Sequence, residues 1–143
     1  MTDIDDGGRP ALALRDMYPG APEVTVIDKL GIELTEISAR RTTGTMPVEG
    51  NTQPAGLLHG GSSAVLAETL ASVAAQVHAG EGHQAVGIEL NATHHRAVRS
   101  GTVTGVATAI HLGRTTASYE IVVTDDRGKR VCTARLTCMI LGS

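Results

Sequence analysis

Residues 59–75 read HGGSSAVLAETLASVAA. After two glycines the run is built from small and aliphatic side chains, and it continues to Ala79 before Gly80. A segment of that length is a helix rather than a strand. Gly80 suits its C-terminal cap. The helix is apolar nearly all round, so something must cover it on every side. One residue breaks the pattern: Glu68 is the only charged side chain between Glu49 and Glu81. The fold is settled by what covers the helix, and the chemistry by why it carries a carboxylate.

The flanks supply a cover. Residues 24–48 are rich in β-branched side chains, with Gly31 and Gly44 as punctuation. They read as two strands, roughly 24–34 and 36–47. The stretch EGNTQPAGLLHGG then has the composition of a loop. Four further strands follow the helix. QAVGIELNATHH alternates Val86, Ile88, Leu90 and Ala92 against Gly87, Glu89, Asn91 and Thr93. GTVTGVATAIHL is the next strand. TASYEIVVTD then places Ala117, Tyr119, Ile121 and Val123 on one face. RVCTARLTCMIL does the same with Cys132, Ala134, Leu136, Cys138 and Ile140. Period-two alternation marks half-buried strands. The connections RAVRSG, LGRT and DDRGK are short, which predicts antiparallel pairing of successive strands. One helix on one antiparallel sheet is a two-layer α+β domain. A single sheet covers only one side of the helix, so a second subunit is expected on the remainder. Residues 1–20 read as an N-terminal arm with a short helix from Pro10 to Met17, and 21–143 as a single domain.

Composition narrows the class. The chain has 143 residues, a net charge of −3, no Trp or Phe, and Tyr18 and Tyr119 as its only aromatic residues. A nucleic-acid surface is not expected from that charge, although Arg96, Arg99 and Arg114 form a loose basic group. An aliphatic core gains less area per residue than an aromatic one, and a permanent interface would offset the difference. Cys132 and Cys138 share a strand about 20 Å apart at ~3.3 Å per residue. They are too far apart for a disulfide and read as buried free thiols in a reducing cytosol. The start MTDIDDGG lacks an apolar targeting core. No apolar run reaches the ~18 residues of a membrane span. The expectation is a cytoplasmic protein with no membrane partner.

Glu68 is read in two ways. It lies on a solvated stripe, or it is an isolated acid at a half-buried interface, where burial would raise its pKa and suit it to act as base or nucleophile. Gly61, Val65 and Ser72 share its face at helical spacing and bring no further charge, which favours the second. The helix start His59-Gly60-Gly61 offers backbone N–H groups with no partner inside the helix. Such an end favours developing negative charge, as in an oxyanion hole; alternatively the glycines serve only a tight turn. Gly60 and Glu68 are about 12 Å apart along one helix at 1.5 Å per residue, too far to act on one carbonyl. Two antiparallel helices across a two-fold axis would bring Glu68 of one chain to the helix start of the other.

NTQPAGLLHGGSSAVLAET together with VGIELNATHHRAV resembles the hotdog-fold acyl-CoA thioesterases. The branch is that of the Arthrobacter-type 4-hydroxybenzoyl-CoA and PaaI-like enzymes. It includes the proofreading thioesterases of enterobactin synthesis and the 1,4-dihydroxy-2-naphthoyl-CoA thioesterases of menaquinone synthesis. The likeness runs from about Ile32 to Gly142. It implies a six-stranded antiparallel sheet wrapped around one long central helix, assembled as a dimer of dimers, a homotetramer. It places the catalytic carboxylate at Glu68, the oxyanion-hole glycine at Gly60, the loop glutamine at Gln53 and the hydroxyl one turn after the acid at Ser72. His59 matches the histidine before the glycines. Gln53 and Gly60 would come from one subunit, Glu68 and Ser72 from its partner. Coenzyme A, as part of the substrate rather than a cofactor, falls near Gly61, His94, His95 and Arg96 and the turn at Arg114 and Thr115. The implied acyl group is aromatic. Delivery on an acyl carrier protein stays open beside coenzyme A. Ala55 stands where relatives often carry Phe, which points to a differently shaped acyl pocket.

The expected activity is hydrolysis of an acyl-CoA thioester to free acid and coenzyme A, with Glu68 as nucleophile or general base. The alternative is a non-catalytic hotdog protein that binds acyl-CoA or an acyl carrier protein. A His-based hotdog dehydratase fits less well. Gly60-x-Ser62-x-Ala64 is a near miss for a nucleophile elbow, which needs a parallel α/β sheet. His94 and His95 are adjacent in a strand and point to opposite faces. His78 and His83 flank a helix end and read as exposed. No cysteine–histidine spacing suggests a metal, and no dinucleotide or phosphate-loop pattern appears.

Overall fold

A computed structural model describes residues 14–142. The elements run α1 (Leu14–Met17), α2 (Val26–Leu30), β1 (Glu33–Glu36), β2 (Arg41–Pro47), α3 (Gly60–Ala79), β3 (His83–His94), β4 (Thr102–Leu112), β5 (Thr116–Thr124) and β6 (Arg130–Gly142). Pro10, expected to open the first helix, lies outside the described residues; the turn Leu14–Met17 lies within them.

α3 ends where Gly80 takes a positive φ of 78° and its N–H reaches the Gln76 carbonyl. The six strands form one antiparallel sheet in the order β1-β2-β4-β5-β6-β3. The sheet wraps α3, which contacts β2, β3, β4, β5 and β6. Leu66, Leu70, Ala71 and Ala74 are fully buried against it. The alternation in β5 and β6 puts Ala117, Tyr119, Ile121, Val123, Cys132, Ala134, Leu136 and Cys138 in the core, with Ile140 partly buried beside them. Both cysteines are free and buried, and burial pushes both thiol pKa values up. Tyr119 is fully buried, and its O–H donates to the Ala39 carbonyl at 2.7 Å. Satisfying that hydroxyl removes the cost of burying it.

Three expectations fail in instructive ways. Residues 24–34 are not a strand: Val26–Leu30 is helical and only Glu33–Glu36 is extended. Thr25 and Asp28 cause it. The Asp28 carboxylate accepts from the Thr25 N–H at 2.7 Å, and Gly31, with φ 71°, ends the turn. This is the capping-box spacing, and it overrides the β propensity of Val26 and Ile27.

The second concerns strand order. β3 does not pair with β4 but with β6, at the far edge of the sheet. Three strand spacings separate β3 from β4, about 14 Å at ~4.8 Å each. Seven extended residues reach about 23 Å, so residues 95–101 can cross the sheet end. Val98 is buried on the way, and its carbonyl accepts from the Leu58 N–H at 2.7 Å.

The third is the alternation in β3. Gly87 pairs with Cys138 and Glu89 with Thr137, so Ile88 is an extra residue, a β-bulge. Ala85, Leu90 and Ala92 pack on the core, while Ile88 is 54% exposed.

Candidate active site

The loop 48–59 is tied down before α3 begins. Asn51 is buried, and its side-chain amide donates to the carbonyls of Leu30 and Pro47, each at 2.8 Å. Its own carbonyl accepts from the His59 N–H at 2.9 Å. Asn51 therefore fixes where the helix starts. The sequence reading passed over it, since one Asn in a loop carries no signal of its own.

His59 caps α3. Its Nδ1 accepts from the Gly61 N–H at 2.8 Å. A ring nitrogen that accepts carries no proton, so the neutral ring holds its hydrogen on Nε2. The Gly61 N–H is thereby taken, while the Gly60 N–H has no hydrogen-bond partner among the described residues. The His94 ring lies over Gly60: a Cβ on Gly60 would meet His94 Nε2 at 2.7 Å. A side chain there would have to push the His94 ring aside, and Gly60 lines a cavity of about 370 Å³ with Gln53, Ser63, His94, His95 and Arg96. The Gln53 carboxamide oxygen accepts from the Ala55 N–H, which folds the side chain over its own loop. His95 Nε2 is hydrogen-bonded to Thr133 Oγ1 at 2.9 Å, away from His94.

Glu68 and Ser72 lie elsewhere in the same chain. They line a second groove, of about 920 Å³, with Val65, Thr69, Val73 and Gln76 on the α3 wall. Leu14, Met17, Tyr18, Val26 and Ile27 form the opposite wall. Burial raises the Tyr18 phenol pKa, with a smaller push from the Cys138 thiol. Glu68 is exposed in the single chain rather than half-buried. On this face of α3 Gly61 and Glu68 are exposed and Val65 and Ser72 half-buried, while Leu66, Leu70 and Ala74 are sealed by the sheet. Beneath α3 sits Cys138, whose thiol pKa is pushed up first by burial and further by the Glu68 charge, with Ser72 pulling it the other way.

The expected site residues thus fall into three places. Gln53, His59, Gly60, Gly61, His94, His95 and Arg96 cluster at the start of α3. Glu68 and Ser72 sit midway along it. Arg114 and Thr115 lie in the β4–β5 turn at its far end, where His78, partly buried rather than exposed, donates from Nε2 to the Gly113 carbonyl at 2.7 Å. The far end is roughly 25 Å from the start at 1.5 Å per residue, so one chain does not bring the two basic groups together. Arg96 does have company that the sequence reading missed. Backbone N–H groups of Lys129 and Arg127 hold the Asp125 carboxyl below its usual range, and the charges of Arg96 and Arg127 add to this. The β5–β6 turn with Arg127, Lys129 and Arg130 therefore lies beside the β3–β4 connection. Among the described residues no group of three or more potential metal ligands occurs, and no helix is long and apolar enough to cross a membrane.

Residues 55–132 match the model of the thioesterase superfamily. The proofreading thioesterase EntH of Klebsiella pneumoniae is 52% identical over 121 residues, 84% of this chain and 88% of that protein. A thioesterase of Haemophilus influenzae superposes with a TM-score of 0.83 at 37% identity, covering 92% of this chain and 90% of that one. A mutant thioesterase of Pseudomonas aeruginosa superposes with a TM-score of 0.80 at 40% identity, covering 89% and 99%.

Proposed function

The chain belongs to the thioesterase superfamily and is a thioester hydrolase, and from that premise we propose that it cleaves acyl-CoA thioesters at a site shared by two copies of itself. The observation that carries this reading is the split of the functional groups. Gly60, whose N–H has no partner among the described residues, lines one groove and Glu68 another, about 12 Å along the same helix. Antiparallel α3 helices in a dimer would cover the exposed Gly61 and Glu68 and the half-buried Val65 and Ser72. They would also set Glu68 of one chain opposite Gly60 of the other.

In that arrangement the thioester oxygen accepts from the Gly60 N–H. The helix N-terminus stabilises the oxyanion as the carbonyl carbon becomes tetrahedral. Glu68 either attacks that carbon, forming a mixed anhydride and releasing the thiolate of coenzyme A, or takes a proton from the attacking water. Gln53 orients the thioester or the water. His59 holds the turn through its cap on Gly61. Ser72 positions the acyl group, an aromatic one, which extends into the groove beside Glu68. Coenzyme A runs past His94, His95 and Arg96, with Arg114 and Thr115 reaching it from another subunit; arginine suits its phosphates.

The test is thiol release from a panel of aromatic and aliphatic acyl-CoAs by wild type, Glu68→Ala and Glu68→Gln. The expected result is a loss of about a thousandfold or more in kcat for both variants, of the size found when a catalytic group is removed, with fold and oligomer retained. Near-normal turnover by folded Glu68→Ala would sink the assignment. A burst of thiol equal to the enzyme concentration would select the anhydride route.

A further inference from the structure

Glu68 reaches across to the edge strand β3 and rests over Gly87. A Cβ built on Gly87 would lie 2.9 Å from Glu68 Oε2, with Leu136 Cδ1 next at 3.4 Å. A Cβ essentially never comes that close to a side-chain oxygen of another residue, so a side chain at 87 shifts the carboxylate, which, as the tip of a flexible side chain, moves at little cost to the fold. The backbone at Gly87 does not require glycine. Its φ is not among the positive values of the chain, and the Leu136 contact is ordinary. The missing Cβ makes room for Glu68 alone.

The local topology explains why this gap faces the helix. Gly87 pairs with Cys138, and directly paired residues point to the same face of a sheet. Cys138 is fully buried beneath α3, beside Ser72 and Glu68. The bulge follows at once, at Ile88, and turns the next side chain outward. Bulges recur next to active sites because they re-aim a strand locally. Here the bulge leaves position 87 facing inward as a bare seat and keeps Ile88 out of it. Glu68 is exposed and makes no hydrogen bond in the chain among the described residues, and its carboxylate settles over the open space that Gly87 leaves.

We infer that Gly87 is a positioning residue for catalysis: its missing side chain, with the Ile88 bulge, forms the seat that sets the Glu68 carboxylate in line with the thioester. The inference rests on the proposed role of Glu68. A carboxylate moved by a few tenths of an ångström to 1 Å loses rate by up to about a hundredfold, while binding of coenzyme A, made elsewhere, is untouched.

The experiment compares Gly87→Ala with wild type and Glu68→Ala by melting temperature, elution volume, kcat and KM. Expected for Gly87→Ala are an unchanged fold and oligomer, a kcat lower by about ten- to a hundredfold, and a KM within about twofold. In a Glu68→Asp background the same substitution should change kcat by less than about twofold, because the shorter acid stops short of the strand and the two sites uncouple. Activity in Glu68→Ala would overturn the proposed function and this inference with it. An inactive Glu68→Ala beside a Gly87→Ala of wild-type kcat overturns the inference alone. So does a Gly87→Ala chain that misfolds or changes oligomer, since the glycine then serves packing, and so does an undiminished penalty in the Glu68→Asp background.

Discussion

Two side chains of α3, two residues apart, enter the sheet where glycines leave room. Leu70 sits between Gly44 and Gly105, which are cross-strand partners on β2 and β4. A Cβ on either glycine would come within 2.8 Å and 2.6 Å of the two Leu70 methyls. Glu68 sits over Gly87 on β3, where an added Cβ would lie 2.9 Å from its Oε2. The geometry is alike and the surroundings are opposite. Leu70 is fully buried, gripped on both sides, in the middle of the sheet. Glu68 is exposed, at the edge strand, touched on one side. A glycine gap in the first setting lets helix and sheet approach and is worth stability. In the second it costs the fold little and leaves a reactive group free at its tip. The same device divides into packing and positioning according to whether the seated side chain can move away.

The largest test of that division is Gly105→Ala. The added methyl meets Leu70 Cδ1 at 2.6 Å and two Leu66 atoms at 3.3 Å, and neither leucine has space to yield. Overpacking of this kind costs about 1–3 kcal/mol, and denaturant or thermal melts should show it as a midpoint several degrees lower. The kcat of the molecules that remain folded should stay near wild type, the reverse of the pattern expected at Gly87. A Gly105→Ala enzyme that melts like wild type but turns over slowly would erase the distinction.

How far the sequence discloses these two regions follows the same line. α3 was legible because an unbroken small and aliphatic run has only one stable form at that length. β5 and β6 were legible because each residue's face is set by its neighbours two positions away. The start of the helix at Gly60 and its midpoint at Glu68 could be marked as chemically odd from charge and glycine alone. What stayed hidden depends on partners distant in sequence. Nothing in residues 83–94 says that their neighbour is β6 rather than β4. Strict alternation hid the Ile88 bulge, although a glycine inside a strand pattern, Gly87, is a recognised sign of one. Thr25 and Asp28 carried a readable cap signal, but the β-branched run around them was stronger. Asn51 is invisible until the three segments it ties together are in place.

A middle-sized effect probes the helix start, where packing and chemistry meet in one residue. His59→Ala removes the acceptor for the Gly61 N–H. Loss of an N-cap costs about 1 kcal/mol and loosens the turn that aims the Gly60 N–H, so stability and kcat should fall together. His59→Asn supplies another capping oxygen, and both should recover together. Recovery of the melting temperature without recovery of rate would show that the imidazole does more than cap.

The smallest effect comes from α2, whose residues wall the groove opposite Glu68. Hydrogen bonding from the Thr25 backbone N–H holds the Asp28 carboxyl pKa below its usual 3.8, and the nearby Arg15 charge adds to this. A carboxyl whose folded pKa is lowered stabilises the fold fully above its unfolded value, and the contribution disappears as pH falls through the folded one. Asp28→Asn should therefore melt slightly below wild type at pH 7, and the gap should close as pH drops below about 3.8. The group is open to solvent, so added salt should also narrow the gap. Turnover links this to the comparison of the two seats. If α2 only walls the acyl groove, kcat with a small acyl group stays unchanged while KM for a bulky one rises. An equal fall in kcat for both acyl groups would mean that the α2 wall, like Gly87, bears on where Glu68 points.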